Sequence, residues 1–178
     1  MRILILGAGG HAKVLREVFR VLNIGPVVLS EDDTVGPADA VVIGLGDLAK
    51  RRKLYQSHRP TLDAVHPSAV MAPDAFREGS AVQIMAGAVI QPGARIGPNT
   101  IINTRASVDH DCTVGAHSHI APGATLCGGV TLGEGCFVGA GATIVQGVRI
   151  EAGTFVPAGT LVVGQTDFRK PVRAVRDV

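Results

Sequence analysis

Aromatic side chains are scarce in this chain of 178 residues, which has no Trp, one Tyr and five Phe. Yet 46% of the residues are hydrophobic, and 23 are glycine. A core of this composition cannot depend on packed aromatic rings, so Ile, Leu, Val and Ala must form it. The many glycines predict that tight turns connect short elements around that core. The chain is long enough for one large domain or two small ones.

Cysteine, unbalanced charge and long apolar runs are also lacking. Three cysteines, a small and odd number, do not suggest a disulfide framework and favour a reducing compartment. A net charge of +2 is too small to indicate nucleic acid or an anionic membrane as a partner. No run approaches the length of a membrane-spanning helix, and the apolar start MRILIL is too short for a signal peptide. We therefore expect a cytoplasmic protein with no nucleic-acid or membrane partner.

Strand and helix signals alternate in residues 1–62, which predicts a small α/β domain of the mini-Rossmann kind. The stretch GAGGHA follows a strand, opens a helix and matches G-x-G-x-x-A, with Glu31 and Asp32 at the distance of a ribose contact. Backbone N–H groups at such a helix N-terminus suit a diphosphate, although a tight turn without a ligand is the alternative. A second helix starts after Asp47, its predicted N-cap, and we interpret its KRRK run, residues 50–53, as a solvated face.

Residues 63–178 are predicted to form a second domain, in which every sixth position from Ile84 to Val162 is aliphatic. The fourteen positions are Ile84, Ile90, Ile96, Ile102, Val108, Val114, Ile120, Leu126, Leu132, Val138, Ile144, Ile150, Val156 and Val162. A period of six predicts a parallel β-solenoid whose short sides each turn one aliphatic side chain inward, with three hexapeptides per coil. An earlier frame at Val70, Phe76 and Val82 slips by two residues before the regular one begins.

The third residue after each aliphatic one predicts the corners of the solenoid. Nine of thirteen such residues are glycine, as expected where a turn requires a positive φ. The four exceptions are consecutive: Asn99, Arg105, Asp111 and His117. A side chain is retained in a strained conformation most readily where it has a function. The repeat therefore indicates which of its own coils are functional.

The stretch VDHDCTVGAHSH, residues 108–119, lies in these coils. Its His110 is next to Asp111, and an imidazole with a carboxylate partner has the basicity of a general base near neutral pH. The alternative is a solvated surface histidine. A metal site is not expected, because the repeat spreads His110, His117 and His119 apart. Cys112 occupies a small-residue position of the repeat, so we interpret it as core packing rather than as a nucleophile.

Four segments together resemble the sugar acetyltransferases of the hexapeptide class over nearly the whole chain. They are GAGGHAKV, GDLAKR at 46–51, VHPSAV at 65–70 and VDHDCTVGAHSHIAPGATLCGGVTLGEGCFVGAGATIVQG at 108–147. The similar subgroup includes UDP-4-amino-sugar and perosamine N-acetyltransferases and sialic acid O-acetyltransferases. The resemblance implies a nucleotide-sugar-binding domain joined to a left-handed parallel β-helix. It also implies acetyl-CoA as co-substrate, no metal, and a homotrimer in which neighbouring β-helices share each site.

Residue roles follow from the same resemblance. It implies that His110 is the catalytic base and that Asp111, where relatives often carry Glu, raises its basicity. It implies a coenzyme A groove lined by His119, Ala140 and Ala158, and a thioester carbonyl polarised by the backbone amide of Gly128. Ala158 stands where similar proteins have glycine. The implied nucleotide-sugar cradle consists of Gly9, Gly10, His11, Gly46 and Asp47.

Several functions stay open at this point. Direct acetylation of a nucleotide-linked amino sugar is the main expectation, and O-acetylation of a sugar or of sialic acid is the alternative. A metal-binding β-helix of the carbonic-anhydrase kind, or a non-catalytic solenoid scaffold, is a different class. An NAD-linked enzyme would need a longer N-terminal domain. Relatives commonly carry an additional segment where this chain has SEDDTVGPAD, so neither the base and sugar nor nucleotide binding itself is fixed by the sequence.

Overall fold

A computed structural model describes residues 1–30, 38–60 and 62–164. The expected ribose contacts Glu31 and Asp32 lie outside these ranges. Within them, a small α/β unit is followed by seventeen two-residue strands that wind into a prism. No helix in the described ranges is long and apolar enough to span a membrane.

The α/β unit contains three parallel strands and two helices. Its strands are β1 (Ile3–Leu6), β2 (Val27–Ser30) and β3 (Ala40–Ile43), in the order β2-β1-β3, and its helices are α1 (Gly10–Val21) and α2 (Leu48–His58). The central strand β1 is apolar throughout and buried at every residue, as expected for a parallel strand with both faces covered. The chain leaves β1 through Gly7, whose φ of 109° permits the sharp turn into α1.

The remaining strands stack into three flat sheets, which are the faces of the prism. The first face contains β4 (Ala64–Val65), β7 (Gln83–Ile84), β10 (Ile101–Ile102), β13 (His119–Ile120), β16 (Phe137–Val138) and β19 (Phe155–Val156). The second face contains β5 (Val70–Met71), β8 (Val89–Ile90), β11 (Ser107–Val108), β14 (Thr125–Leu126), β17 (Thr143–Ile144) and β20 (Leu161–Val162). The third face contains β6 (Phe76–Arg77), β9 (Arg95–Ile96), β12 (Thr113–Val114), β15 (Thr131–Leu132) and β18 (Arg149–Ile150).

Parallel pairing between coils produces the core. Ile84 pairs with Ile102 and Ile102 with Ile120, one complete coil of three hexapeptides apart. All fourteen aliphatic positions of the repeat lie in one buried cluster, with small residues such as Ala106 and Cys112 between them. Each coil therefore covers the apolar side chains of the one below, which a single coil cannot do alone. The predicted fold class, a small α/β unit followed by a left-handed parallel β-helix, is confirmed.

The frame predicted for the first coil is wrong. Val65 pairs with Ile84 and Met71 with Ile90, so the first coil holds one residue more than the others and the frame slips by one, not two. Val70 and Phe76, which the predicted frame turned inward, are 62% and 54% exposed. The extra residue is absorbed before Ile84, where both Gly79 and Ala81 have a positive φ.

The corners of the prism agree with the prediction. Asn99, Arg105, Asp111 and His117 have φ between 55° and 59°, in line with the glycines at equivalent positions. From β7 onwards, each edge of the prism is a stack of four-residue steps. The first edge, between the first and second faces, then contains residues 85–88, 103–106, 121–124, 139–142 and 157–160. The second edge, between the second and third faces, contains residues 91–94, 109–112, 127–130 and 145–148. The third edge, which returns to the first face, contains residues 97–100, 115–118, 133–136 and 151–154.

A buried arginine joins the α/β unit to the β-helix. The interpretation of residues 50–53 as a solvated face is wrong for Arg51, whose exposed fraction is 0%. Its guanidinium donates to the backbone oxygens of Ile43 at 2.8 Å, Ala81 at 3.1 Å and Asn99 at 3.2 Å. Burial lowers the pKa of Arg51 to about 9, so the group is still charged at neutral pH. One side chain thus holds β3 against the lower coils through carbonyls from both parts.

Replacing Arg51 by Met should destabilise the protein strongly. The substitution removes the Arg51 donor from the buried carbonyls of Ala81 and Asn99, and it leaves Ile43 O with Gln83 Nε2 alone. Unsatisfied buried groups cost about 1–3 kcal/mol each. We expect a loss of about 3 kcal/mol or more in the free energy of unfolding, measured in urea. Lys53→Met, two residues further along α2 at an exposed position, is the control and should change it by less than about 0.5 kcal/mol. Equal effects of the two variants would contradict this role for Arg51.

Candidate active site

His110 and Asp111 form an exposed pair on the second edge, between β11 and β12. His110 Nδ1–H donates to Asp111 Oδ2 at 2.9 Å, and the His110 side chain is 58% exposed. The shorter carboxylate side chain of Asp111 therefore reaches the imidazole. This hydrogen bond, together with the nearby charge of Asp109, raises the pKa of His110 above its ordinary value. Nε2 has no hydrogen-bond partner in the described part of the chain, so it can accept a proton.

The coil above brings Gly128 directly against the imidazole of His110. A Cβ built on Gly128 would overlap Nε2 and Cε1 of His110, so the position requires glycine for close approach rather than for its φ. The coils are also tied here, because Gly129 N–H donates to His110 O at 2.8 Å. The N–H of Gly128 itself has no hydrogen-bond acceptor within the described ranges. A free backbone donor therefore lies beside the free nitrogen of His110.

Asp109, which the sequence analysis did not select, fixes the backbone of this pair. Its Oδ1 accepts from the N–H of His110 at 2.7 Å, which holds the turn in which the imidazole is presented. The signal in the sequence is the DHD triplet, in which both neighbours of the histidine are acidic. Two carboxylates beside one imidazole favour its protonated form.

His119 lies on the first face, in β13, and is nearly buried. Asn103 Oδ1 accepts from Thr104 N–H at 2.8 Å, which orients the amide so that Asn103 Nδ2 donates to His119 Nε2 at 2.9 Å. His119 Nδ1–H consequently points to Gly46 O, at 3.4 Å. Burial lowers the pKa of His119 to about 4, so the ring is neutral at physiological pH. Asn103 was missed by the sequence analysis, since an Asn that follows two isoleucines gives no signal of a partner one coil away.

The proposed cradle residue His11 packs against the same face. His11 Nε2–H donates to Gln83 Oε1 at 2.7 Å, and Gln83 Nε2 donates to Ile43 O at 2.7 Å. The ring centroids of His11 and His119 are 6.4 Å apart, and burial lowers the pKa of His11 as well. Two neutral imidazoles therefore lie where the α/β unit meets the first face.

The other cradle residues surround this junction. Gly9 is the N-cap of α1 and, like Gly10, is exposed with open space around it. Gly46 and Asp47 connect β3 to α2, and Asp47 Oδ1 accepts from Lys50 N–H at 2.8 Å as the predicted N-cap. The N-terminal ends of both helices thus follow the carboxyl ends of neighbouring parallel strands, the edge at which open α/β sheets bind ligands.

Ala140 and Ala158 lie apart from His110. They are exposed, one above the other, on the first edge, where Gly159 N–H donates to Ala140 O at 2.9 Å. His110 is on the second edge, which is the edge across the prism from the first face and its histidines. The predicted site residues therefore form two groups on one chain, and no surface of a single prism joins them.

The three histidines of the quoted stretch do not converge within the chain. His110 contacts Asp111, His119 contacts Asn103, and His117 Nδ1 accepts from Asn99 Nδ2 at 2.8 Å on the third edge. No group of three His, Cys, Asp or Glu side chains in the described ranges could hold a metal ion. Cys112 is buried in the core as predicted, and its burial raises the pKa of its thiol.

Two clefts flank His117 where α2 lies over the third edge. One, of about 570 Å³, is lined by Leu48, Arg52 and Glu134 among others, and the second, of about 460 Å³, by Tyr55 and Arg59. His110 lines neither. Its side chain is instead exposed on the second edge.

The sequence and the fold are similar to those of known transferases. Residues 94–128 match the family described as bacterial transferase hexapeptide (six repeats), and residues 129–163 match the hexapeptide repeat of succinyl-transferase. The acetyltransferase domain of PglB from Neisseria gonorrhoeae is 29% identical, with a TM-score of 0.86 over 93% of each chain. That domain has also been solved in complex with acetyl coenzyme A, at a TM-score of 0.85.

A second enzyme is closer in sequence. A histidine-to-alanine mutant of GDP-perosamine N-acetyl transferase from Caulobacter crescentus, in complex with CoA and GDP-perosamine, is 36% identical. The match covers 93% of this chain and 90% of that one, with a TM-score of 0.85. Identity at this level over nearly the full length is accompanied by the same order of an α/β unit and a β-helix. The chain therefore belongs to the hexapeptide-repeat amino-sugar acetyltransferases.

Proposed function

We propose that this enzyme transfers the acetyl group of acetyl-CoA directly to the amine of a nucleotide-linked amino sugar, with His110 as general base. The observation that carries the catalytic assignment is the free Nε2 of His110, held between the carboxylate of Asp111 and the backbone of Gly128. The acceptor class is supported by the GDP-perosamine complex of the similar enzyme and by the exposed cradle of the α/β unit.

The transfer step follows from these atoms. The acceptor amine attacks the thioester carbonyl carbon, and Nε2 of His110 takes a proton from the amine as the N–C bond forms. The N–H of Gly128 donates to the oxyanion of the tetrahedral intermediate. The C–S bond then breaks, the carbonyl re-forms, and the imidazolium returns its proton to the departing thiolate of coenzyme A. No covalent acyl-enzyme is needed.

Asp111 positions the base and keeps it basic. Its hydrogen bond to Nδ1–H selects the tautomer with Nε2 free, and its charge stabilises the imidazolium that forms during attack. Its φ of 59° is the strained conformation otherwise given to glycine at these corners. The backbone strain is thus accepted at the position where the carboxylate reaches the imidazole.

The cradle and the groove take the two substrates. Gly9, Gly10 and His11 at the start of α1, with Gly46 and Asp47 before α2, bind the nucleotide sugar, because the N–H groups at helix N-termini suit a diphosphate. Ala140 and Ala158 on the first edge line the coenzyme A groove. His119, which contacts Gly46 O, connects this groove to the cradle. The boundary of the cradle domain is placed at 62/63, between α2 and β4.

A homotrimer supplies the complete site. The second edge of one copy carries His110 and Gly128, and the first face and first edge of a neighbour carry the cradle and the groove. The outward strand residues of the first and second faces from β7 onwards carry no charge at neutral pH, whereas Arg95 and Arg149 project from the third face. The uncharged faces suit burial between copies in a closed three-fold ring. The reducing cytoplasm suits the free cysteines of such an enzyme.

Removing the imidazole should abolish most of the activity. We expect His110→Ala to lower kcat by about 10²- to 10⁴-fold, the usual contribution of a general base. Release of the coenzyme A thiol is followed with acetyl-CoA and a panel of nucleotide-linked amino sugars and their hydroxyl counterparts. His117→Gly is the matched control, since it removes another corner histidine and gives that corner its favoured residue. Equal rates for wild type and His110→Ala would contradict the assignment, and transfer to hydroxyls alone would make the enzyme an O-acetyltransferase.

The pH dependence should follow the protonation of His110. The base must be neutral, so kcat/KM should rise with pH through the raised pKa of His110. Asp111→Asn removes the main cause of the raised pKa of His110, so the rising limb of the kcat/KM profile should move to lower pH. The plateau of that profile should fall, because a weaker base abstracts the proton more slowly. Titration of the His110 ring by NMR should show the same shift. A limb that stays in place, or that moves to higher pH, would contradict the pairing of these two residues.

A further inference from the structure

One strained corner has no role in the mechanism above. Arg105 has a φ of 56°, at a position where nine of thirteen residues are glycine. Asn and Asp tolerate this conformation through short polar side chains, whereas Arg gains nothing of the kind. Its side chain is exposed and makes no ion pair or hydrogen bond with the residues that the structure describes. Packing therefore does not explain why Arg occupies this corner.

The position of Arg105 is next to both substrate regions. It lies on the first edge, two residues after Asn103, which orients His119 toward Gly46 of the cradle. Its Cγ lies above Gly87 of the coil below, 3.4 Å from the point that a Cβ added to this glycine would occupy. One and two coils above it, the same edge carries Gly123 and then Gly141, next to Ala140 of the groove.

Arg105 is also the sole ionisable residue among the five steps of this edge from β7 onwards, and the first coil below them carries His66 in its step at residues 66–69. The steps read MAGA, NTRA, APGA, GAGA and PAGT at residues 85–88, 103–106, 121–124, 139–142 and 157–160. The outward strand residues on either side are uncharged at neutral pH. When a ligand covers a single guanidinium in an uncharged groove, water is excluded from it. The attraction between the guanidinium and an anionic group of the ligand is then stronger than in water.

We propose that Arg105 binds a phosphate group of one of the two substrates of this enzyme. Both coenzyme A and a nucleotide sugar carry phosphates, and the planar guanidinium matches phosphate oxygens in a bidentate geometry. The inference rests on the proposed function, and it assigns to this chain a charged contact that the small residues of the groove cannot make. The phosphate contact is what retains Arg in a conformation that favours glycine.

The decisive variant is Arg105→Gly, because glycine relieves the corner instead of straining it. The melting temperature of this variant should equal or exceed that of the wild type. Its KM for the one substrate whose phosphate contacts Arg105 should rise by about 10- to 100-fold. Arg105→Lys should retain part of the affinity. Arg149→Gln, which removes an equal charge from the third face across the prism, is the control and should leave both KM values unchanged.

Donor analogues distinguish the two sources of phosphate. If coenzyme A is the ligand, Arg105→Gly loses its effect when S-acetyl pantetheine, which has no phosphate, replaces acetyl-CoA. If the nucleotide sugar is the ligand, the KM for the acceptor rises with either donor, and inhibition by the free nucleoside diphosphate weakens equally. Unchanged KM values for both substrates would overturn the proposal. So would dissociation of the assembly in Arg105→Gly, since Arg105 would then pair with a neighbouring copy. His110→Ala distinguishes this failure from failure of the proposed function, because it tests transfer independently.

Discussion

The stacking of the coils in register is the constraint on which the rest of the structure depends. Each coil must turn three corners within eighteen residues, and from Gly87 onwards each corner requires one residue in the left-handed region. Neighbouring coils also approach so closely that a Cβ at Gly97, Gly115 or Gly133 would overlap the backbone of the coil above. Side chains can therefore project freely at few places. Glycine satisfies this geometry but has no side chain that could bind or react. Each non-glycine residue at a left-handed corner therefore marks a place where the chain tolerates strain.

The same geometry separates the parts of the site. A triangular prism turns its edges in three directions, so the proposed base on the second edge and the proposed cradle over the first face lie on opposite sides of one chain. The α/β unit is fixed over that face by Arg51, by the contact of His11 with Gln83 and by that of His119 with Gly46. Because these contacts hold it in place, the proposed mechanism needs a second copy to bring its own His110 to the proposed cradle. In that mechanism, assembly is part of the chemistry.

Much of this could be predicted from the sequence, and the exceptions have physical causes. The period of six can be recognised within short stretches of sequence. It therefore predicted the inward aliphatic positions from Ile84 onwards and the left-handed corners at Asn99 and His117. The predicted frame of the first coil was wrong because one extra residue enters the turn at residues 78–82, where both Gly79 and Ala81 have a positive φ, and the period of six does not describe such a turn. The burial of Arg51 and the contact of Asn103 with His119 depend on packing between distant segments. Such contacts leave no periodic signal, and a charged run such as KRRK gives no indication of which member turns inward.

The claim that two copies form each site is tested most directly by mixing two inactive variants. His110→Ala removes the base, and Gly10→Glu adds a carboxylate to the exposed start of α1, where it has open space but repels a diphosphate. Each variant alone should be nearly inactive. Co-assembled in equal amounts, they should recover about a quarter of the wild-type rate, because each site needs an intact base from one copy and an intact cradle from its neighbour. No recovery in mixed assemblies whose formation has been verified would contradict the account.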